Sequence, residues 1–126
     1  MGRALPDRRA VVLVVEDEFL IRLMAEDMVE KAGFDAIGAS DADEAVRILE
    51  TRSDIQVVFI DVQMPGSMDG LGLVEVIRHR WPLVALIVTS GRRHVHQADL
   101  PCRGRFLAKP YQLDQVSTAL RESIMS

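Results

Sequence analysis

Val57-Val58-Phe59-Ile60 runs straight into Asp61, and Met64-Pro65-Gly66 ends the stretch a few residues later. An aspartate at the end of a continuous apolar run is a metal ligand, a nucleophile or a loop cap. Four further polar residues stand at matching positions: Glu16 and Asp17 after residues 10–15, Thr89 after 83–88, and Lys109 after 105–108. If these runs are neighbouring parallel strands, their carboxyl ends share one edge, where open α/β sheets place their ligand crevices. Three carboxylates gathered there repel one another unless a cation joins them. Magnesium suits such a site, because it takes oxygen ligands, few of them from protein, and keeps waters and a phosphate oxygen. Lys109 and Thr89 add a positive point charge and a hydrogen-bond donor, as a transferred phosphoryl group requires. Asp61 is then the candidate nucleophile, since carboxylates form acyl phosphates, with Thr89 and Lys109 as its catalytic partners.

These groups need elements that carry them to one edge. Residues 10–15 and 55–60 read as strands covered on both faces of a parallel sheet. Residues 34–39, 83–88 and 105–108 read as three more strands. Leu20, Leu23, Met24, Met28 and Ala32 recur at helical spacing before Gly33. Met24 and Met28, like Met64 in the loop after Asp61, are assigned to packing. Ser40 or Asp41 can cap a second helix carrying Ala42, Ala45, Val46 and Leu49, with Asp43 or Glu44 three residues on. Leu71, Val74 and Ile77 mark a third helix, closed by Trp81-Pro82, and Leu113, Val116, Leu120 and Ile124 mark the last. Between Arg92 and Gly104 the pattern weakens, leaving room for one short or irregular helix at residues 94–100. Strands alternating with helices over short loops predict an α/β fold with a parallel sheet between two helical layers. The strand order 2-1-3-4-5 is one that brings the polar strand ends together.

The chain is long and apolar enough (126 residues, 48% hydrophobic) for one domain over residues 10–126, after a polar, basic and loose arm at 1–9. A net charge of −4 argues against non-specific binding of nucleic acid or anionic membrane. No apolar stretch has the length of a bilayer span, and the first residues lack a signal-peptide core. Cys102 is the lone cysteine, which excludes an internal disulfide and agrees with a cytoplasmic location.

Five motifs follow one another along the chain: Val14-Val15-Glu16-Asp17-Glu18, Phe59-Ile60-Asp61-Val62-Gln63-Met64-Pro65-Gly66, Met68-Asp69-Gly70, Val88-Thr89-Ser90-Gly91 and Phe106-Leu107-Ala108-Lys109-Pro110-Tyr111. In this order they resemble the response-regulator receiver domains of two-component signalling, over essentially residues 10–124. The resemblance implies a flavodoxin-like (βα)5 three-layer sandwich. It implies phosphorylation of Asp61 from the phosphohistidine of a sensor histidine kinase or histidine phosphotransfer protein. No enzymatic activity is expected beyond Mg²⁺-dependent self-phosphorylation and self-dephosphorylation. The metal set it implies is Asp17 directly, Glu16 through water, Gln63 through its backbone carbonyl, and Asp61. It further implies that Thr89 and Lys109 contact the phosphoryl oxygens and that Lys109-Pro110 is cis. As a switch, Thr89 moves toward the phosphoryl group while the strand-five aromatic, here Phe106, turns inward. Phe106 lacks the hydroxyl of a tyrosine, so its rotamer rests on packing alone, which Phe106→Tyr tests. The expected protein is a stand-alone receiver, a monomer or weak dimer, that signals to a protein target or relays phosphate; a receiver excised from a hybrid kinase would read the same.

Other readings fit less well. A phosphohydrolase of the haloacid-dehalogenase type resembles Asp-x-Asp at its nucleophile, whereas Gln63 here removes the general acid. An FMN-binding electron carrier needs a Ser-, Thr- and Gly-rich first loop, and Glu16-Asp17-Glu18 would repel its phosphate. A pseudo-receiver that only binds proteins has no need of the full acidic, Thr and Lys set. Glu18 reads as a solvated or first-turn charge. His94 and His96 lack a third ligand, and the arginines at 78, 80, 92, 93, 103 and 105 read as dispersed surface charges.

Overall fold

Val11–Val15 (β1) is apolar and buried at every position, so it needs partners on both edges and cover on both faces. It finds its edge partners in Asp35–Ala39 (β2) and Ile55–Asp61 (β3), both parallel to it. Ala85–Ser90 (β4) and Gly104–Ala108 (β5) extend the sheet on the β3 side, giving the order β2-β1-β3-β4-β5. The computed structural model describes residues 9–63, 69–91 and 104–125. The loop residues 64–68, most of the arm (1–8) and the segment 92–103, with the short helix expected there, His94, His96 and Cys102, lie outside the described residues.

Alternation along the strands divides the core in two. Leu13, Val15, Val58 and Ile60 face helices Ala42–Thr51 (α2) and Gly70–Arg80 (α3), which contribute Ala45, Leu49, Leu73 and Ile77. Val12, Val14, Val57, Phe59 and Ile87 face Phe19–Lys31 (α1) and Leu113–Met125 (α4), which contribute Ala25, Val29, Val116 and Leu120. The three-layer flavodoxin-like arrangement expected from the sequence is the one observed.

Local chemistry sets the helix ends. Asp41 caps α2 by accepting from the Glu44 N–H at 2.8 Å, while the Glu44 carboxylate reaches back to the Ser40 N–H at 2.7 Å. Asp69 caps α3 by accepting from the Gly72 N–H at 2.8 Å. Gly33, at φ +102°, turns the chain out of α1. Arg9, the last residue assigned to the arm, donates to the Glu30, Gly33 and Phe34 carbonyls at that same helix end.

Two expectations need correction. In α1, Leu20, Leu23 and Met24 are exposed, and the buried pair is Ala25 and Val29. The helix is apolar on more than one face, so spacing alone does not choose the one that packs. Met28 and Ala32 do pack against the core, but Met24 does not. Strand four starts at Ala85 instead of Leu83, because a turn closed by the Val84 N–H on the Trp81 carbonyl takes up the residues before it. Leu83 is left exposed.

Candidate functional site

Parallel pairing delivers the polar strand ends to one edge. Asp61 is the last residue of β3 and lies opposite Thr89 of β4, and Ser90 lies opposite Ala108, one residue before Lys109. Backbone hydrogen bonds carry the pairing past the strands: Val62 N–H donates to Thr89 O, Lys109 N–H to Ser90 O, and Glu16 N–H to Ala39 O, each at 3.0 Å. The Lys109-Pro110 peptide is cis.

At this edge Asp61 is 5% exposed. Its Oδ1 accepts from the Gln63 N–H at 3.0 Å and its Oδ2 from Lys109 Nζ at 3.1 Å. Lys109 Nζ also donates to Glu16 Oε1 at 3.0 Å, and the other Glu16 oxygen accepts from the Glu18 N–H at 3.2 Å. Carboxylate oxygens of Glu16, Asp17 and Asp61 all lie within 4.8 Å of one another, with Asp17 exposed and the other two buried. Thr89 is buried, and its hydroxyl donates to the Ile60 carbonyl at 3.4 Å.

Burial pushes the Glu16 carboxyl up to about 7, against the opposing pull of its hydrogen bonds from Lys109 and Glu18, with the nearby Asp61 charge adding to the rise. Burial acts on Lys109 in the other sense, but its hydrogen bonds to Glu16 and Asp61 outweigh it and hold the ammonium above its usual range. With all three acids ionised, one ammonium faces three carboxylates. The excess negative charge, the all-oxygen donor set and the exposure of Asp17 fit a hard divalent cation.

The response regulator receiver domain profile matches residues 12–121 of the sequence. The chain belongs to this family. This receiver domain is 31% identical, over 89% of its length, to a putative NtrX-like response regulator of Rickettsia bellii, and 32% identical, over 91%, to the sensor kinase CckA of Brucella abortus. It spans about a quarter of the former's length (24%) and 12% of the latter's. Among solved structures it superposes on a receiver domain from Clostridium thermocellum with a TM-score of 0.83 at 27% identity, covering 92% of this chain and 94% of that one. The receiver domain of NtrX from Brucella abortus gives 0.82 at 27% identity, covering 91% and 98%. The chain is therefore a receiver domain of the response-regulator type.

Every strand-end residue singled out in the sequence thus reaches one edge of the receiver, although Thr89 turns its hydroxyl toward the β3 backbone. Gln63 adjoins Asp61 through its N–H. Phe106 lies opposite Val88 on β5, half-buried against the α2 and α3 side of the core. Arg78, Arg80 and Arg105 pair with three separate carboxylates, Glu75, Glu50 and Glu122.

Three neighbours of the site had no role assigned from the sequence, although Gly70 and Tyr111 fall within the motifs that carry the resemblance. Gly70 opens α3 so close to β3 that a Cβ there would run into the Asp61 carbonyl oxygen and Val62 Cα. The Tyr111 ring packs edge-on against Phe59, centroids 5.4 Å apart, and burial pushes its phenol up to about 12. Arg22, an isolated cation in an apolar helix, donates from Nη1 to the Glu16 carbonyl at 2.9 Å.

Proposed function

We propose that Asp61 is the phosphoacceptor of this receiver and that the reaction depends on Mg²⁺. An Asp61 oxygen attacks the phosphorus of a phosphohistidine, the new O–P bond forms as the P–N bond breaks, and the electron pair leaves with the imidazole. Asp17 and Asp61 would hold the ion directly, Gln63 through its carbonyl and Glu16 through water; when bound, it neutralises the charge of the phosphoryl oxygens. Lys109 supplies a fixed positive charge beside the acceptor. The Gln63 N–H fixes the orientation of the Asp61 carboxylate. The Thr89 hydroxyl leaves the Ile60 carbonyl for the phosphoryl oxygens, and Phe106 follows inward, so an acyl phosphate of roughly −2 in place of the carboxylate's −1 biases the strand-end loops. Water attack on the same phosphorus returns Asp61 to its resting state.

The observation that carries this reading is the Lys109 ammonium shared by Glu16 and Asp61, with Asp17 exposed beside them. The donor is a sensor histidine kinase or a histidine phosphotransfer protein, and the output is a protein target or onward relay in the cytoplasm. A donor imidazole must come within bonding range of Asp61, so its protein must cover this rim. Exposed Met24 of α1 adjoins it, in an apolar hollow of about 290 Å³ lined also by Ile21, Met28, Lys109, Pro110 and Tyr111, and Leu20, also exposed, lies one turn before it on the helix.

Incubation with Mg²⁺ and acetyl phosphate or phosphoramidate tests the assignment by mass spectrometry. The wild type should gain one phosphoryl group; EDTA or Asp61→Asn should abolish the gain. An undiminished gain in Asp61→Asn would remove Asp61 from the role.

A further inference from the structure

Arg22 is tied to the acidic loop through the backbone. Its Nη1 donates at 2.9 Å to the carbonyl of Glu16, the peptide that joins Glu16 to Asp17. The N–H of Glu16 donates to the Ala39 carbonyl of β2. Glu16 is thus pinned by β2 on one side and by Arg22 on the other. The guanidinium is itself held: Nε lies 3.8 Å from Glu26 Oε2 one turn further along α1, and Cζ lies 5.4 Å from the Phe19 ring centroid.

Gly38 makes room for this arrangement. It lies on β2 opposite Val14 of β1, and a Cβ there would fall on the Glu26 carboxylate and come within 3.2 Å of Arg22 Cδ. Glu26 and the Arg22 stem occupy the space that any other residue at 38 would fill. Both side chains are mostly shielded, 17% and 25% exposed, so solvent screens the pair less than a surface ion pair.

We propose that Arg22 is a positioning residue for the cation site, held by Glu26 over Gly38 and fixing the Glu16–Asp17 peptide so that both side chains face the metal. The inference rests on the Mg²⁺ reading above. It opposes what charge alone dictates. A guanidinium close to a cluster of carboxylates repels a divalent cation, so an Arg22 that acted only through its charge would weaken Mg²⁺ binding, and its removal would tighten it. A positioning Arg22 has the opposite sign: its removal frees the peptide between two ligands, and Mg²⁺ binding weakens despite the more negative site.

The test is calorimetric titration of the whole chain with Mg²⁺ alone, with thermal melts alongside. Arg22→Met should weaken Mg²⁺ binding about tenfold, the scale of lost support around metal ligands. Arg22→Lys keeps the charge but not the planar fork, and should weaken it too; it decides the matter by the same criterion if Arg22→Met does not fold. Gly38→Ala, by displacing Glu26, should weaken binding several-fold in the wild type and add little in Arg22→Met. Gly33→Ala, strained at the far end of α1, should lower the melting temperature without moving Mg²⁺ affinity. Unchanged or tighter binding in the Arg22 variants, or an equal loss in Gly33→Ala, overturns the proposal. A wild type that binds no Mg²⁺ overturns the metal reading instead.

Discussion

Lys109 Nζ stands 3.0 Å from Glu16 Oε1 and 3.1 Å from Asp61 Oδ2, bridging residues 93 and 48 positions away in the chain. The ammonium therefore has two tasks. It relieves the repulsion between two buried carboxylates, and on the function proposed above it then faces the phosphoryl oxygens. Its replacement by an isosteric apolar chain separates them.

Lys109→Met should destabilise the metal-free protein by about 2 kcal/mol, below the ~3–5 kcal/mol of a fully buried pair because the lysine touches solvent and Glu16 can take up a proton. Urea denaturation reads the loss. Mg²⁺ should recover much of it, since a bound divalent cation restores the charge balance. A midpoint equal to that of the wild type in EDTA would show that the bridge contributes nothing to the resting state.

Glu16 makes this balance depend on pH. Burial raises its carboxyl from an ordinary 4.5 to about 7. The folded chain therefore keeps a proton that the unfolded chain gives up, and the associated stability is complete below about pH 4.5 and lost as pH rises through about 7. In EDTA the urea midpoint should fall across that window, and Glu16→Gln should flatten the profile. Mg²⁺ affinity should rise over the same window, because the ion competes with that proton. A flat wild-type profile would place the Glu16 carboxyl back in the ordinary range.

Gly70→Ala should be costly out of proportion to its size. The atoms in its way are backbone, the Asp61 carbonyl oxygen and Val62 Cα, so they cannot swing aside as a side chain would. About 2–3 kcal/mol of stability should be lost through overpacking. Acetyl phosphate should also phosphorylate the variant more slowly at saturating Mg²⁺, because the displaced peptide carries the acceptor. Slower labelling without a stability loss, or neither effect, would show that α3 can move away from β3 at no cost.

The strand ends were legible because apolar runs stop abruptly at Glu16, Asp61, Thr89 and Lys109, and parallel pairing then leaves one edge for all four. Helix α1 was not legible in the same way. Its residues 19–25 are apolar on several faces, and only the fit of small Ala25 and β-branched Val29 against the sheet selects the buried one. The contacts of Gly70 and Arg22 were hidden for a different reason. Arg22 meets the Glu16 carbonyl and Gly70 the Asp61–Val62 backbone, both outside the helix that carries them, and hydropathy patterns carry no record of backbone contacts.

That misjudged helix face yields the last prediction. Leu20 and Met24, one turn apart on α1, are 71% and 60% exposed, and Met24 reaches the hollow beside Lys109. Solvated apolar side chains on a helix next to a reactive rim suit a partner that must cover the rim during transfer. Leu20→Glu with Met24→Glu should leave stability within about 0.5 kcal/mol, as expected of exposed positions. Acetyl phosphate is too small to need the helix, so its reaction with the double variant should match the wild type. Transfer from a phosphohistidine-bearing protein that phosphorylates the wild type should slow at least about tenfold, roughly 1.4 kcal/mol. Rapid-quench measurement of both donors separates the two routes. Equal slowing with both would mean that the substitutions disturb Asp61 itself, and no slowing with either would mean that the donor protein approaches from another side.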